Sequence, residues 1–306
     1  MPTLRWYKLI FKQLSPIHIG NFRWGVVNQT EIFIPGQVIL GALVKRYMEL
    51  NEIKNQYKVE EIKKSFEKIT NFFPSFDRKK ILKPNYKDGE FYLGDFSERE
   101  FRFLFTFADF RTSIEPIFRK AKDEHLYEFE YISPLPIAEN LKALKEHPMD
   151  KENRKKLESV EKPLGEKFTL YWIGLIGISE KDKYENFLKK GLKVWIGGDV
   201  RYGFGELILE EIIPLERSNL EETLKDWNLT PEGKFREDEK ITLKNFLSVN
   251  YLKEIERGEL KLLVKLSFNK NIPQVEKACT GIYAWVGSKI KPVNTCNLYL
   301  RCGKFG

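Results

Sequence analysis

The chain has 306 residues, 42% of them hydrophobic, which is enough for two domains that each bury a core. With 52 Lys and Arg against 44 Asp and Glu, the formal charge is +8, an excess that favours anionic partners. The longest strongly apolar run, Leu170 to Ile178, is too short for a membrane span, and Arg5 and Lys8 interrupt the N-terminus where a leader would be apolar. A soluble, cytoplasmic protein with no membrane partner is expected. The cysteines Cys279, Cys296 and Cys302 lack C-x-x-C spacing and no histidine follows His147, so they read as reduced thiols and not as a zinc site.

Residues 4–12 alternate loosely and read as a first strand, broken by Ser15-Pro16-Ile17-His18-Ile19-Gly20. Thr30 to Ile34 reads as a second strand, closed by the Pro35-Gly36 turn. From Gln37 to Leu50 the residues Val38, Leu40, Leu43, Val44 and Tyr47 recur at helical spacing, and residues 52–70 either extend that helix or add a Lys-rich one. Phe101, Phe103, Phe105 and Phe107 alternate with Arg102, Leu104 and Thr106, which predicts a strand whose aromatic face packs into a core. Arg111 to Pro116 and Leu126 to Ile132 look like two extended arms around a basic tip holding Arg119, Lys120 and Lys122.

Residues 139–167, with Pro148 and Pro163, read as a charged surface insertion. Phe168 to Ile178 is a buried strand, and Lys181 to Gly191 an amphipathic helix ended by its glycine. Residues 214–244 are acidic and polar, with Pro214, Pro231 and Gly233, and are expected to be a linker. Leu260 to Phe268, Thr280 to Trp285 and a stretch around Asn297 to Leu300 follow as strands. The pattern is α+β, divided into a first domain over 1–213, the linker over 214–244 and a smaller module over 245–306.

The richest stretch is residues 193–209. Two apolar runs flank a loop holding Gly197, Gly198, Gly203 and Gly205, with Arg201 at its centre. Such a loop reaches φ > 0 and lets its backbone approach a ligand, while the guanidinium suits a phosphate. Exposed amides around a fixed cation make a nest for a nucleic-acid backbone; a tight hairpin with a bulge is the alternative. The spacing is neither G-x-G-x-x-G opening a helix nor a loop ending in G-K-[ST], and Leu207 and Leu209 stand where an RRM strand would carry rings.

Three segments then fall in a familiar order. Pro16-Ile17-His18-Ile19-Gly20 followed by Ile34-Pro35-Gly36-Gln37-Val38-Ile39-Leu40-Gly41-Ala42-Leu43 resembles the start of RAMP proteins, the repeat-associated subunits of CRISPR effector complexes. Arg111-Thr112-Ser113-Ile114 through Ala121 to Leu126-Tyr127-Glu128-Phe129-Glu130 is similar to their central basic hairpin, and residues 197–205 to their glycine-rich loop. Thr280-Gly281-Ile282-Tyr283-Ala284-Trp285 with Lys289, Lys291 and Pro292 further resembles the second half of the two-module type III subunit that caps the crRNA 5′ end, in its III-D or III-B version. One departure is that the sequence ends at Cys302-Gly303-Lys304-Phe305-Gly306, before a full second module.

The resemblance implies a ferredoxin-like, RRM-like RAMP fold with a glycine-rich loop, plus a second, smaller or incomplete RRM-like module over 245–306. It implies a grip on the single-stranded 5′ handle of the crRNA, and docking to the large polymerase-like subunit and a neighbouring RAMP backbone subunit. Arg201 and the amides around Gly197, Gly198, Gly203 and Gly205 would cradle the RNA backbone. Gly36 and Gln37 would present a helix N-terminus to phosphate, and Arg111, Arg119 and Lys120 would line the hairpin.

RNA cleavage without a metal needs a general acid or base near the 2′-OH. His18 reads as a hydrogen-bonded turn or core histidine, His125 as exposed near the hairpin tip, and His147 as solvated. RAMP backbone subunits cut target RNA with a loop aspartate and a metal, for which Asp77, Asp95 and Asp109 are candidates. No second carboxylate stands at ligand spacing, and Asp77-Arg78 reads equally as a surface ion pair. The expectation is a non-catalytic RNA-binding subunit with no cofactor and no metal. The alternatives are an endoribonuclease that processes CRISPR repeat RNA and a target-cleaving backbone subunit.

Overall fold

The computed structural model describes residues 4–55, 57–114, 121–146, 156, 158, 160, 169–180, 184–238, 241–264, 266–269, 272–275, 281–292 and 298–306. Its centre is an antiparallel sheet ordered β11 (Lys193–Trp195), β12 (Glu206–Pro214), β1 (Leu4–Gln13), β10 (Tyr171–Ser179) and β4 (Phe73–Ser75). The register sets Leu9 opposite Gly174 and Phe11 opposite Trp172, while Lys8 faces Leu175 and Ile10 faces Ile173. Successive residues alternate between faces, so these two sets lie on opposite sides of the sheet. Both sides are covered, which is why β10 reads as a continuous apolar run and not as an alternation.

One side is closed by α1 (Gly36–Leu50), through Ile39, Leu40, Leu43 and Val44, and by α2 (Tyr57–Phe66), through Ile62 and Phe66. The ring of Phe72 lies on Gly174, where a Cβ would come within 2.7 Å of it, so the strand carries no side chain there. On the other side Trp6 covers Gly177, and its indole N–H donates to the Pro231 carbonyl at 2.8 Å. Pro231 belongs to the stretch 214–244, expected to be a linker. That stretch holds a helix, α5 (Arg217–Asp226), and buries Leu224, Trp227, Leu229, Phe235 and Ile241 in the same apolar cluster as β1 and β10. Its acidic surface residues mask the aliphatic and aromatic ones that anchor it.

Three other expectations shift. Phe101, Phe103 and Phe105 lie in a helix, α3 (Glu98–Phe105), not in a strand. The Ser97 hydroxyl accepts from the Glu100 amide and the Glu100 carboxylate accepts from the Ser97 amide, a capping box that starts the helix, and Phe101, Leu104 and Phe105 form its buried stripe. Residues 31–34 are not a strand, although Ile34 bridges to Phe72. Within Lys181–Gly191, the described part holds a 3-10 turn, Glu185–Phe187, pinned by Tyr47 and Phe66 against Tyr184 and Phe187. The charged insertion opens with α4 (Ala138–Glu146), which buries Leu141 and docks Asn140 on the Phe103 carbonyl.

A second sheet, ordered β2 (Gly20–Trp24), β3 (Val27–Thr30), β9 (Ala121–Ile132) and β8 (Thr106–Ile114), carries the long hairpin. Strands β5 (Pro84–Lys87), β6 (Glu90–Leu93) and β7 (Phe96–Ser97) form a small meander before α3. Among the described residues, 245–306 add strands and one 3-10 turn. Of these strands, β14 (Phe246–Ser248), β16 (Leu260–Leu263), β19 (Gly281–Ala284), β21 (Leu300–Arg301) and β22 (Lys304–Phe305) share one sheet.

The two halves are tied by one fully buried side chain, Asn71. Its amide oxygen accepts from the Gly36 N–H at 2.8 Å, and its amide nitrogen donates to the carbonyls of Lys244 at 3.0 Å and Gly303 at 3.1 Å. Its own backbone N–H donates to the Asn245 side chain at 3.0 Å. Gly36 and Gly303 are glycines because a Cβ at 36 would lie 2.7 Å from the Gly303 nitrogen, and one at 303 would lie 2.1 Å from the Asn71 oxygen. Replacing Asn71→Ala strands two buried backbone groups, the Gly36 N–H and the Lys244 carbonyl, while the Gly303 carbonyl keeps the Phe246 N–H, and each unsatisfied group costs about 1–3 kcal/mol. We expect Asn71→Ala to lower the urea midpoint by the equivalent of about 3 kcal/mol or more, with an unchanged slope.

Candidate nucleic-acid interface

The construction of the interface begins at the end of β1. The buried side chain of Gln13 donates to the carbonyls of Ser15 and Ile132, each at 2.9 Å, and accepts from the Trp172 indole at 3.1 Å. This fixes the base of the hairpin against the central sheet. The following segment, Pro16 to Gly20, is then strapped between two motifs distant in sequence. Ile17 and Ile132 exchange backbone hydrogen bonds on the hairpin side, while Gly205 donates to the Pro16 carbonyl at 2.7 Å and Gly198 to the His18 carbonyl at 2.9 Å. The opening motif, the hairpin and the glycine loop therefore form one continuous surface.

That strapping explains the glycines. Gly197 and Gly205 have φ of 72° and 83°, and a Cβ on them would fall 2.0 Å from the carbonyl oxygens of His18 and Ile196 respectively. Gly203, at φ 86°, faces open space and is required by its conformation alone. The expected amide nest is not what the loop presents. The N–H groups of Gly198, Gly203 and Gly205 are spent on His18, Val200 and Pro16. The loop instead projects a short 3-10 turn, Val200–Tyr202, with Arg201 exposed and Tyr202 76% exposed. Arg201 has no ion-pair partner among the described residues, so its guanidinium is available to an external anion.

Next to the loop lies a file of rings absent from the sequence expectations. Phe107 stacks on Tyr131 at 5.8 Å, Tyr131 and Phe129 each meet Phe204 edge-on, at 5.3 and 5.5 Å, and Phe129 lies 4.1 Å from the ring of His18. The register of β8 with β9 puts Phe107 and Asp109 on the face of Tyr131 and Phe129. Phe204, held between two loop glycines, was the signal in the sequence: a ring in Gly-Phe-Gly is aimed by its neighbours. Phe107 keeps 39% of its surface exposed and offers a ring edge to solvent.

The other sequence candidates do not all belong to this surface. Gly36 is buried and its N–H is bonded to Asn71, so it does not offer a helix N-terminus to phosphate. Gln37 is exposed and lines a groove of about 1260 Å³ between α1 and α2. Arg111 sits on β8 by its backbone, and Arg119 and Lys120 lie outside the described residues. His18 is buried with Nδ1 2.6 Å from the Glu130 carbonyl, so that nitrogen carries the proton and the imidazole acts as a spacer. His125 lies on β9, and His147 lies outside the described residues. Asp77 accepts from the Ser75 hydroxyl and from the amides of Lys79 and Lys80, which together hold its carboxyl below the usual range despite desolvation. Arg78 turns away from it to Glu211 and the Tyr171 ring, so the expected Asp77–Arg78 pair does not form. Asp95 and Asp109 are exposed. Among the described residues no group of three or more His, Cys, Asp or Glu is placed to hold a metal, and no helix is long and apolar enough to cross a membrane.

Carboxylates under the surface are neutralised from below. Arg102 donates to Glu98 at 2.8 Å, to Glu130 at 2.9 Å and to the Thr30 carbonyl at 3.0 Å. Glu31 lies behind them, almost fully buried, and desolvation raises its pKa to about 7 against the opposing charges of Lys261 and Arg102; Glu98 and Glu259 reinforce the rise.

Two predictions follow from this geometry. Gly203→Ala meets only backbone strain, about 1–2 kcal/mol, whereas Gly205→Ala collides with the Ile196 carbonyl and should release the loop. Amide exchange of residues 196–205 should rise much more in Gly205→Ala. For Glu31, the folded chain keeps a proton up to about pH 7 that the unfolded chain releases near 4.5, so stability falls as pH rises through that window. Glu31→Gln should flatten that fall and gain on the order of 2–3 kcal/mol at pH 8, read from urea midpoints at pH 4.5 to 8.

No family model and no curated protein matches the chain. Among solved structures, its fold is similar to that of a chain in the cryo-EM structure of the Type III-B Cmr-beta complex bound to cognate target RNA and AMPPnP, in state 1. The TM-score is 0.55 at 13% identity, over 93% of this chain and 86% of that one. A second Cmr-beta structure, bound to cognate target RNA, gives a TM-score of 0.54 with the same identity and coverage. A chain of the Csm3–Csm4 subcomplex of a type III-A CRISPR-Cas interference complex matches over 99% of this chain at 13% identity, but its TM-score of 0.43 adds nothing to the assignment. The α+β architecture of this chain is thus the fold of those Cmr-beta chains.

Proposed function

We propose that the chain is a non-catalytic RNA-binding subunit of a type III CRISPR effector complex that caps the 5′ handle of the crRNA. The observation that carries this reading is the convergence of the Pro16–Gly20 segment, the β8–β9 hairpin and the glycine loop on one surface, with Arg201 at its edge. A single-stranded RNA needs a cation for its phosphates and rings for its bases, and this surface offers Arg201 for the first and Phe107 with Tyr202 for the second. The similar Cmr-beta chains belong to assemblies bound to target RNA, which agrees with an RNA ligand. The loop glycines act by shape: they bring the loop onto His18 and leave the side chain of Arg201 outward.

Docking to the large polymerase-like subunit and to a neighbouring RAMP backbone subunit belongs to the same reading. Leu260, Leu262 and Ile282 are exposed together on β16 and β19, where Leu262 pairs with Ile282, and an exposed aliphatic patch on a sheet face is a protein-docking feature.

The test is a fluorescence anisotropy titration of the full chain with labelled repeat-derived 5′-handle RNA and a scrambled control. The wild type should prefer the handle and leave it intact on a denaturing gel. Arg201→Ala should weaken binding about tenfold and reduce the log–log salt slope by about 0.7, the signature of one lost phosphate contact on a single strand. Equal binding of both RNAs by the wild type, or cleavage abolished by His125→Ala, would overturn the capping role.

A further inference from the structure

A second cavity lies on the Lys8 face of the central sheet and shares no lining residue with the glycine loop or the hairpin. It holds about 1000 Å³ between β10, the small meander and α5. Its floor is apolar, formed by Ile173 and Leu175 of β10 with Trp227 and Ile241. Its walls carry seven lysines against four carboxylates, so the concavity is positive.

Lys87 lies over the Tyr92 ring, and the other six lysines divide into two sets. Lys83 and Lys244 converge on Asp226, at 2.7 and 3.3 Å, and Lys244 also donates to the Asp226 backbone carbonyl. Lys8 donates to the Lys79 carbonyl at 2.8 Å. These three are committed to building the wall, and the pairs hold the Asp226 carboxyl below its ordinary range despite desolvation, so it stays ionised and satisfied. Lys79, Lys80 and Lys225 form the second set. All three are exposed, and none has a carboxylate at ion-pair distance among the described residues. Lys79 and Lys80 are presented side by side because both their amides are fastened to Asp77.

One further group faces this cavity with its bonding unfinished. Asn228, only 8% exposed, adopts the left-handed conformation at φ 58°, and its side-chain oxygen has no hydrogen-bond partner. A buried acceptor left empty costs free energy unless a ligand fills it. The site thus requires an anion at the lysine rim and a hydrogen-bond donor deeper in, above an apolar floor, within a volume typical of small-molecule pockets. Inorganic phosphate supplies only the first, and an acidic peptide spreads its carboxylates along an extended chain. A nucleotide supplies all of it at once: phosphate, hydroxyl or base N–H donors, and a flat ring.

We propose that this cavity binds a nucleoside phosphate, at a site separate from the glycine-loop surface. The phosphate sits among Lys79, Lys80 and Lys225, and a sugar hydroxyl or base N–H donates to Asn228. The nucleotide is either free or one unit of an RNA strand, since both carry the same chemistry.

The experiment uses the full chain with mant-ADP, read by fluorescence anisotropy, and in parallel with a single-stranded RNA carrying 4-thiouridine, read by crosslinking and peptide mapping. The variants are Lys79→Gln/Lys80→Gln, which keeps both turn amides, and Asn228→Gly, which keeps the left-handed backbone. If mant-ADP binds, and binding falls about tenfold in the lysine variant and severalfold in Asn228→Gly but is unchanged in Arg201→Ala, the site takes a free nucleotide. If mant-ADP does not bind but the RNA crosslinks within residues 79–95 or 222–244, and both cavity variants lose the crosslink, the site takes a nucleotide of an RNA strand. Absence of both signals, or mant-ADP binding indifferent to the cavity variants, overturns the proposal. The Arg201→Ala arm reports on the glycine-loop surface alone, so failure here leaves that reading standing, and the reverse.

Discussion

The fold depends on how the side-chain amide of Asn71 is used. A buried amide must satisfy its donors and its acceptor, and Asn71 does so with backbone groups from three distant parts of the chain. The start of α1, the turn before β14 and the turn between β21 and β22 are consequently brought within one hydrogen bond of each other. Close approach of three backbones leaves no room for side chains, which places glycine at 36 and 303. The Ile-Pro-Gly segment is therefore a packing motif here. Its glycine is required by the neighbouring chain, and its helix N-terminus is closed to an external phosphate.

The same logic, with a different amide, builds the candidate RNA surface. Gln13 ties the end of β1 to the hairpin base, and the Pro16–Gly20 segment then serves as a template on which the glycine loop lies down through Gly198 and Gly205. With the amides of Gly198, Gly203 and Gly205 spent within the protein, the binding proposed for this surface rests on side chains. Arg201 supplies charge, and the ring file from Phe107 to His18 supplies rigidity, since each ring is held edge or face on the next. A rigid surface whose cation is a side chain grips any backbone of the right shape, with an affinity that falls as salt rises.

Period and punctuation made much of this legible before any coordinates. The helix from Gln37, the long hairpin, the strand ending near Ile178 and the grouping of glycines around Arg201 were all readable from spacing and turn residues. The four phenylalanines from 101 to 107 misled because a period of two and a helical stripe share positions 101 and 105; the Ser97–Glu100 capping box decides between them. The stretch 214–244 misled because average polarity hid Trp227, Leu229 and Phe235, and a few large rings outweigh many exposed acids when a sheet face needs covering. What no local pattern can show is which carbonyl a glycine N–H will meet, because that partner, His18 for Gly198, lies 180 residues away in sequence.

Charge placement gives the architecture its direction. The hairpin strand β9 brings Glu128 and Glu130 close to a surface proposed to meet a polyanion, an arrangement that repels unless it is countered. Arg102, reaching from α3, binds Glu130 together with Glu98 and donates further to the Thr30 carbonyl, so the Glu98 and Glu130 carboxylates face a fixed cation. Asp226 is treated in the same way on the far side, between Lys83 and Lys244. In both places the ion pairs neutralise negative charge beside a positive rim. Arg201 on one side and Lys79, Lys80 and Lys225 on the other are left as cations with no ion-pair partner among the described residues.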